Sequence, residues 1–326
     1  MKRKNKSIGL QELVEGFLFS LQAEGRAAST YEYYEKLLRH FLYYAKSQDW
    51  PDELDLLDAK QIRQFLSWVG SRSFEYIAGN NGHRFIKAKP STAYRYFKGL
   101  RRLFNWGVNE GLLEESPVKE IHFKTPPPPP IDPYGLEDLK RFLAVCELDI
   151  KSGARFTGLR NKAMLLLFLD SGLRLSEQAH VRLEDLNLEQ RLVRVVGKGN
   201  KAGICPFSAK TAKAIWLYLL ERKRRAKCDA LWVTEEGRPL TVAGISSWFT
   251  RLKKRAGVNS PGRLHRLRHT SALQYLRRAK DSFLLQLFLR HEDLTMSRRY
   301  TQGLKQEEAI EAHRHGASPV EGLGLS

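Results

Sequence analysis

Five consecutive prolines, Pro126 to Pro130, with another at Pro133, constrain this chain more than any other feature. Proline locks φ and carries no amide donor, so the run joins neither a helix nor a sheet ladder and favours an extended polyproline form. It stands well inside a chain of 326 residues, with a stretch on either side long enough to fold on its own. Its position predicts a semi-rigid linker over residues 124–135. A ligand for a proline-binding partner is the competing reading, but a boundary between two folded halves accounts for the position directly.

Ahead of the linker the apolar residues recur at helical spacing. One amphipathic run covers residues 8–24, and a second begins after Ser29, read as an N-cap, and continues to about Ala45. A third follows Asp58 and carries Ile62, Phe65, Leu66 and Val69 on one face. The fourth starts after Ser91, with Ala93, Phe97, Leu100 and Phe104 along one side and Arg95, Lys98 and Arg102 along the other. Most charged stripes are simply solvated faces. This one lacks acids at i±4, so Arg95, Lys98 and Arg102 are the candidates for DNA contact. Residues 79–89, Gly-Asn-Asn-Gly-His-Arg-Phe-Ile-Lys-Ala-Lys, read as a basic loop.

Beyond the linker the pattern is mixed. Helical periodicity covers roughly 136–147, 160–173, 209–225, 241–256, 265–279 and 281–290. Leu192 to Val196 and Gly203 to Phe207 flank Gly197-Lys-Gly-Asn-Lys201, which is a hairpin signature, and Ala230 to Val233 is a candidate third strand. A mainly α fold with a small antiparallel sheet is therefore expected.

Charge narrows the class of partner. Fifty-five Lys and Arg against 36 Asp and Glu give a formal charge of +19. Such a surface repels itself unless a polyanion neutralises it, and nucleic acid is the usual one. The three cysteines, Cys146, Cys205 and Cys228, are widely spaced and lack metal-ligand spacing, so reduced thiols and a cytoplasmic setting are expected. The longest apolar stretch, Ala163 to Leu169, is too short to span a bilayer. The basic start, Met1 to Lys6, is followed by no apolar core of the secretory kind.

Several polar residues of the second half are ordinary when taken singly. Arg174 could be a structural partner of Glu177, Lys198 could be a common turn lysine, and His265 and Arg268 could be a satisfied surface pair. Together with His291 and Tyr300 they form a coherent set for phosphoryl transfer without metal. Guanidinium forks pair with non-bridging phosphate oxygens. Lysine and histidine can move protons near neutral pH. A tyrosine, with a pKa of about 10, needs such a cationic surrounding to act as a nucleophile.

Asp170-Ser-Gly-Leu-Arg-Leu-Ser-Glu177, Val196-Gly-Lys-Gly-Asn-Lys201, Leu231-Trp-Val-Thr-Glu-Glu-Gly-Arg-Pro-Leu240, His265-Arg-Leu-Arg-His-Thr270, Leu287-Phe-Leu-Arg-His291 and Tyr300 occur in this order. In that order and at those intervals they resemble the tyrosine recombinases, or phage-type integrases, above all the short Xer-like members. The resemblance implies a helical core-binding domain over 1–123, a SAM-like four-helix bundle, joined by the linker over 124–135 to a mixed α+β catalytic domain over 136–303. It implies that Arg174 and Arg268 clamp the scissile phosphate and that Glu177 buttresses Arg174. Lys198 then protonates the leaving 5′ oxygen, His265 acts as acid/base, His291 bonds the phosphate and Tyr300 attacks. Neither cofactor nor metal is implied.

The implied partners are double-stranded DNA with inverted half-sites and further copies of the chain, as dimer and tetramer on DNA. An accessory or activating protein is also compatible, and a membrane is not expected. The implied location is cytoplasmic and nucleoid-associated. One residue departs from the family pattern: Arg290 stands where a glycine commonly precedes the histidine, which predicts an altered turn or an added phosphate contact. An arm-binding module ahead of the helical half is not expected. The tail over 304–326 is expected to supply an inter-protomer helix. Two other functions are compatible with parts of the sequence. A type IB topoisomerase shares the chemistry, and a non-catalytic architectural DNA-binding protein shares the charge but has no use for the full set of polar groups.

Overall fold

The computed structural model describes residues 8–77, 83–127, 131–197, 202–260, 262, 264–290 and 300. The expected helix over 304–326 therefore lies outside the described residues. The chain divides into two compact units, residues 1–128 and 129–326.

The first unit holds α1 (Leu10–Ala23), α2 (Ala28–Ser47), α3 (Ala59–Ser71) and α4 (Pro90–Asn109). Asp58 starts α3 as a full capping box. Its carboxylate accepts from the Lys60 and Gln61 amides at 2.8 and 3.0 Å, and the Gln61 side chain accepts from the Asp58 amide at 2.7 Å. Two other starts differ from expectation. Helix α2 begins at Ala28, ahead of Ser29, because the Thr30 amide already bonds the Ala27 carbonyl at 2.8 Å. Helix α4 begins at Pro90 rather than after Ser91, since a first-turn residue needs no amide donor. The faces meet around Phe41, which sits edge-on to Phe65 and Phe104 at 5.0 and 6.2 Å. Gly99 lets α4 approach α2 closely, since a Cβ there would fall 2.7 Å from Leu37.

The segment read as a basic loop is partly strand. β1 (Ser73–Ile77) pairs antiparallel with β2 (His83–Lys87), with Ser73 opposite Lys87 and Ile77 opposite His83. The alternation Ser-Phe-Glu-Tyr-Ile over 73–77 supplies the extended partner that a reading of 79–89 alone does not include.

The second unit is built around α6 (Arg155–Ser171), which buries Phe156, Leu159, Met164, Leu165, Leu167 and Phe168. Among the described residues, helices α5 (Leu136–Lys151), α8 (Ala209–Arg222), α9 (Val242–Arg255), α10 (His265–Ala279) and α11 (Ser282–Leu289) surround it, with short α7 (Leu175–His180). The sheet is antiparallel in the order β3 (Leu186–Asn187), β4 (Leu192–Val196), β5 (Ala202–Pro206). Tyr134, inside the stretch read as linker, is fully buried against Phe142 and Phe249 at 5.3 and 5.9 Å.

Ala230 to Val233 is not the third strand; Leu186–Asn187 is. Among the described residues the 230–233 segment makes isolated bridges only, Arg182 with Ala230 and Val233 with Pro239. Side chains take its backbone groups instead. Arg222 donates to the Cys228 and Ala230 carbonyls at 2.6 Å each and to Leu231 at 3.1 Å. Arg160 donates to the Val233 carbonyl at 2.9 Å, and the Tyr218 hydroxyl donates to Leu231 at 3.0 Å. Buried backbone must be satisfied, and here two buried arginines do what a ladder would otherwise do.

Candidate active site

The site begins where α6 ends. Gly172 takes the left-handed conformation, φ 59°, and a Cβ there would crowd Leu289 at 3.1 Å and Ser271 at 3.3 Å, so position and packing both call for glycine. Asp170, two residues earlier in the motif, accepts from the Ser208 amide and Thr211 hydroxyl at 2.5 and 2.7 Å, fastening α6 to the start of α8. The turn delivers Arg174 to the N-cap of α7 with Glu177 in its first turn.

Glu177 is 3% exposed and serves two arginines. One oxygen accepts from Arg174 Nη1 at 2.8 Å, and the other accepts from the Arg174 amide and from Arg290 Nη2, each at 2.7 Å. Burial alone would push this carboxyl up. The Arg174 amide, the Arg290 charge and the Arg174 side chain outweigh it, holding the group below the usual carboxylate range. Arg290, which stands where a glycine is common, pairs with Glu177 and takes the left-handed φ of 53° that a glycine adopts freely.

Arg268 projects from α10 and is 2% exposed. Its Nη1 donates to the Gly172 carbonyl, and its Nη2 donates to the Leu289 carbonyl at 2.7 Å. Burial, and then the nearby Arg174 charge, bring its pKa down to about 10, which leaves it charged at neutral pH. A guanidinium shielded from water interacts more strongly with a phosphate than a solvated one does.

Tyr300 is 4% exposed and packs with Leu273, Leu276, Leu285 and Leu289. Its hydroxyl lies 2.8 Å from Nδ1 of His269, and the His269 ring meets His265 edge-on at 4.5 Å. With Nδ1 unprotonated the phenol donates to the ring, and His269 is placed to receive its proton. His265 itself is exposed. Arg174, Glu177, Arg268 and Tyr300 thus fall in one centre, linked by contact or by mutual charge, with His265 beside it. Lys198, in the connection between β4 and β5, and His291 both lie outside the described residues. Among the described residues, no three His, Cys, Asp or Glu side chains are grouped so as to hold a metal ion.

His269 is the residue that motif reading passes over. Its signal was available: it stands four residues after His265, hence on the same helical face, inside a phrase already singled out. Arg290 departs visibly from the motif, but its partner lies 113 positions away and leaves no local trace.

In the first unit Arg95, Lys98 and Arg102 are exposed on α4, where they line one cleft with Tyr33, Tyr34 and Tyr94. Lys98 stands 6.0 Å from the Tyr94 ring centre and Arg102 5.8 Å from that of Tyr34. Cations interleaved with aromatic rings suit a phosphate backbone.

Two family models match the chain: the phage integrase family over residues 136–307 and the phage integrase SAM-like domain over 13–125. The tyrosine recombinase XerD of Listeria innocua is 26% identical over 304 residues, covering 91% of this chain and 95% of the relative. Among solved structures, the Tn1549 transposon integrase in complex with transposon right end DNA superposes with a TM-score of 0.71. It is 17% identical and covers 95% of this chain and all of that one. A lambda integrase tetramer bound to a Holliday junction gives a TM-score of 0.68 at 17% identity, over 91% of this chain and 78% of that one. Among the described residues, no helix is long and apolar enough to cross a membrane.

Proposed function

The chain belongs to the phage integrase family and is a tyrosine recombinase, an enzyme of site-specific DNA recombination; from that premise we propose that Tyr300 is its nucleophile and that Arg174, Lys198, His265, Arg268 and His291 surround the scissile phosphate. The Tyr300 oxygen attacks phosphorus, the bond to the 5′ oxygen breaks, and Lys198 supplies the proton that the departing hydroxyl needs. The 3′ phosphotyrosine conserves the energy of the broken bond, so the 5′ hydroxyl of a partner strand can reseal it without a cofactor. The observation that carries this reading is the convergence of Arg174, Arg268 and Tyr300, brought from α7, α10 and the residues beyond α11.

The substrate is double-stranded DNA with inverted half-sites, held by two protomers and paired into a tetramer for exchange. A two-fold protein assembly matches a two-fold site. The DNA-bound transposon integrase and the lambda tetramer on a Holliday junction support that arrangement by likeness of fold. Residues 1–123 act as the core-binding domain, 124–135 as the linker and 136–303 as the catalytic domain, with the tail over 304–326 reaching a neighbouring protomer. The setting is the cytoplasm, on the nucleoid.

The test is incubation of the full chain, without metal, on nicked suicide duplexes carrying candidate inverted repeats from DNA adjoining its gene. A covalent adduct on a denaturing gel is the expected result. Tight binding across such sites with no adduct would overturn the catalytic reading.

Arg95, Lys98 and Arg102 contribute phosphate contacts in this scheme. Replacing all three with alanine is expected to lower the slope of log affinity against log salt by roughly 2–3, since each neutralised phosphate contributes about 0.9. Anisotropy titrations at several salt concentrations measure it. A slope equal to that of the wild type would remove these residues from the interface.

A further inference from the structure

Arg290 combines an awkward backbone with a specific partner. Its φ of 53° and ψ of 48° are left-handed, a conformation in which an L side chain crowds the following carbonyl and which glycine takes freely. Strain of this kind persists where the surroundings hold it in place. Here the guanidinium Nη2 sits 2.7 Å from Glu177, and the side chain is only 17% exposed. On its way it crosses β5 at Gly203, where a Cβ would lie 2.7 Å from Arg290 Cδ and 3.1 Å from its Nη1. The two positions complement each other: a side chain at 290 needs the absence of one at 203.

We propose that Arg290 is a positioning residue of the cleavage centre, sharing Glu177 with Arg174 and so setting the charge and orientation that Arg174 offers the scissile phosphate. The proposal rests on the recombinase reading above and adds to it a residue outside the six catalytic positions named there. A carboxylate held by Arg174 alone would largely neutralise it. With Arg290 on its second oxygen, the carboxylate is divided between two guanidiniums, and Arg268 adds a third cation nearby. Arg174, 38% exposed at its side chain, therefore keeps more net positive charge for an incoming phosphate.

The arrangement has a signature in pH that packing alone would lack. Arg174, Arg290, Arg268 and Cys205 face Glu177 from the start of α7, the end of α11, α10 and β5. On its other side His180, Arg182, Asp185 and Arg194 line a small cleft. Glu177 titrates below the usual carboxylate range, so it loses its charge only as pH falls through that depressed value. Removing the Arg290 cation raises the value, so the hold of Glu177 that orients Arg174 is lost at higher pH and the acid limb of the cleavage-rate profile moves upward.

The experiment is single-turnover cleavage of a nicked duplex by the full chain, across pH, at saturating protein. Arg290→Met keeps the stem over Gly203 and loses the charge. It is expected to slow cleavage roughly ten- to a hundredfold, with unchanged DNA affinity and an acid limb displaced upward. Arg290→Lys recovers part of the rate. Arg290→Gly relieves the backbone, so misfolding does not account for its loss. Gly203→Ala, which must displace the arginine, slows the parent protein but adds nothing in the Arg290→Gly background. A wild-type adduct with Arg290→Met matching the wild type in rate and pH profile overturns this proposal alone. So does Arg290→Lys performing no better than Arg290→Met. No adduct from the wild type overturns the recombinase reading and this proposal with it.

Discussion

Tyr300→Phe is expected to eliminate the covalent protein–DNA adduct while leaving the protein folded and bound to its sites. The substitution removes one oxygen. That oxygen is the proposed attacking atom, and it is also the partner of His269 at 2.8 Å. The ring itself stays buried among Leu273, Leu276, Leu285 and Leu289, so packing is conserved. Loss of the hydrogen bond costs about 1 kcal/mol of stability, a small change in the denaturant midpoint. Loss of the nucleophile should lower adduct formation by roughly 10⁴-fold or more, because no other group replaces a missing covalent catalyst. Single-turnover assays on nicked duplexes, run beside equilibrium binding, separate the two quantities. An adduct retained by Tyr300→Phe would mean that another residue attacks.

Arg268→Ala is expected to damage catalysis and stability together, which distinguishes it from Tyr300→Phe. Arg268 satisfies the Gly172 carbonyl at the end of α6 and the Leu289 carbonyl at the end of α11. Truncation leaves both without the donor that Arg268 supplied, at about 1–3 kcal/mol each, for a total loss of roughly 2–6 kcal/mol. Cleavage should fall by roughly a thousandfold, the scale for removing a preorganised donor from a developing oxyanion. Arg268→Lys keeps a charge but has no fork, so it can restore one carbonyl contact and not both. Denaturant melts and single-turnover rates on the same preparations provide the check. An unchanged midpoint for Arg268→Ala would show that the two carbonyls find other partners, and the structural half of the expectation would fail.

Local rules read the helices well and the long-range pairings poorly. The stripe along α4 and the cap at Asp58 are decided within a few residues, and there periodicity and capping chemistry suffice. Helix α7 carries no readable period because six residues make too short a window for one. The β1–β2 hairpin reads as loop from its glycines and asparagines alone, because its first strand lies in the alternation at 73–77, ahead of them. Ala230 to Val233 has strand composition, yet its backbone is satisfied by Arg160, Tyr218 and Arg222, and side-chain partners of that kind leave no mark on local sequence. In the site, the types of residue were legible as a set from the motifs. What joins them was not. The contact between His269 and Tyr300 spans 31 positions, and that between Glu177 and Arg290 spans 113.

His265, Arg268 and His269 all stand on the opening turns of α10. The proposed acid/base group, the proposed phosphate clamp and the tyrosine's partner therefore share one rigid body, and their mutual spacing has almost no independent coordinates. A displacement of α10 carries all three as a common-mode error, altering where they meet the substrate but not how they stand to one another. The helix is in turn moored by its own arginine to the ends of α6 and α11. Substitutions in the packing beneath α10 can thus shift the alignment of the whole cluster in a single step, with no separate retuning of each pair.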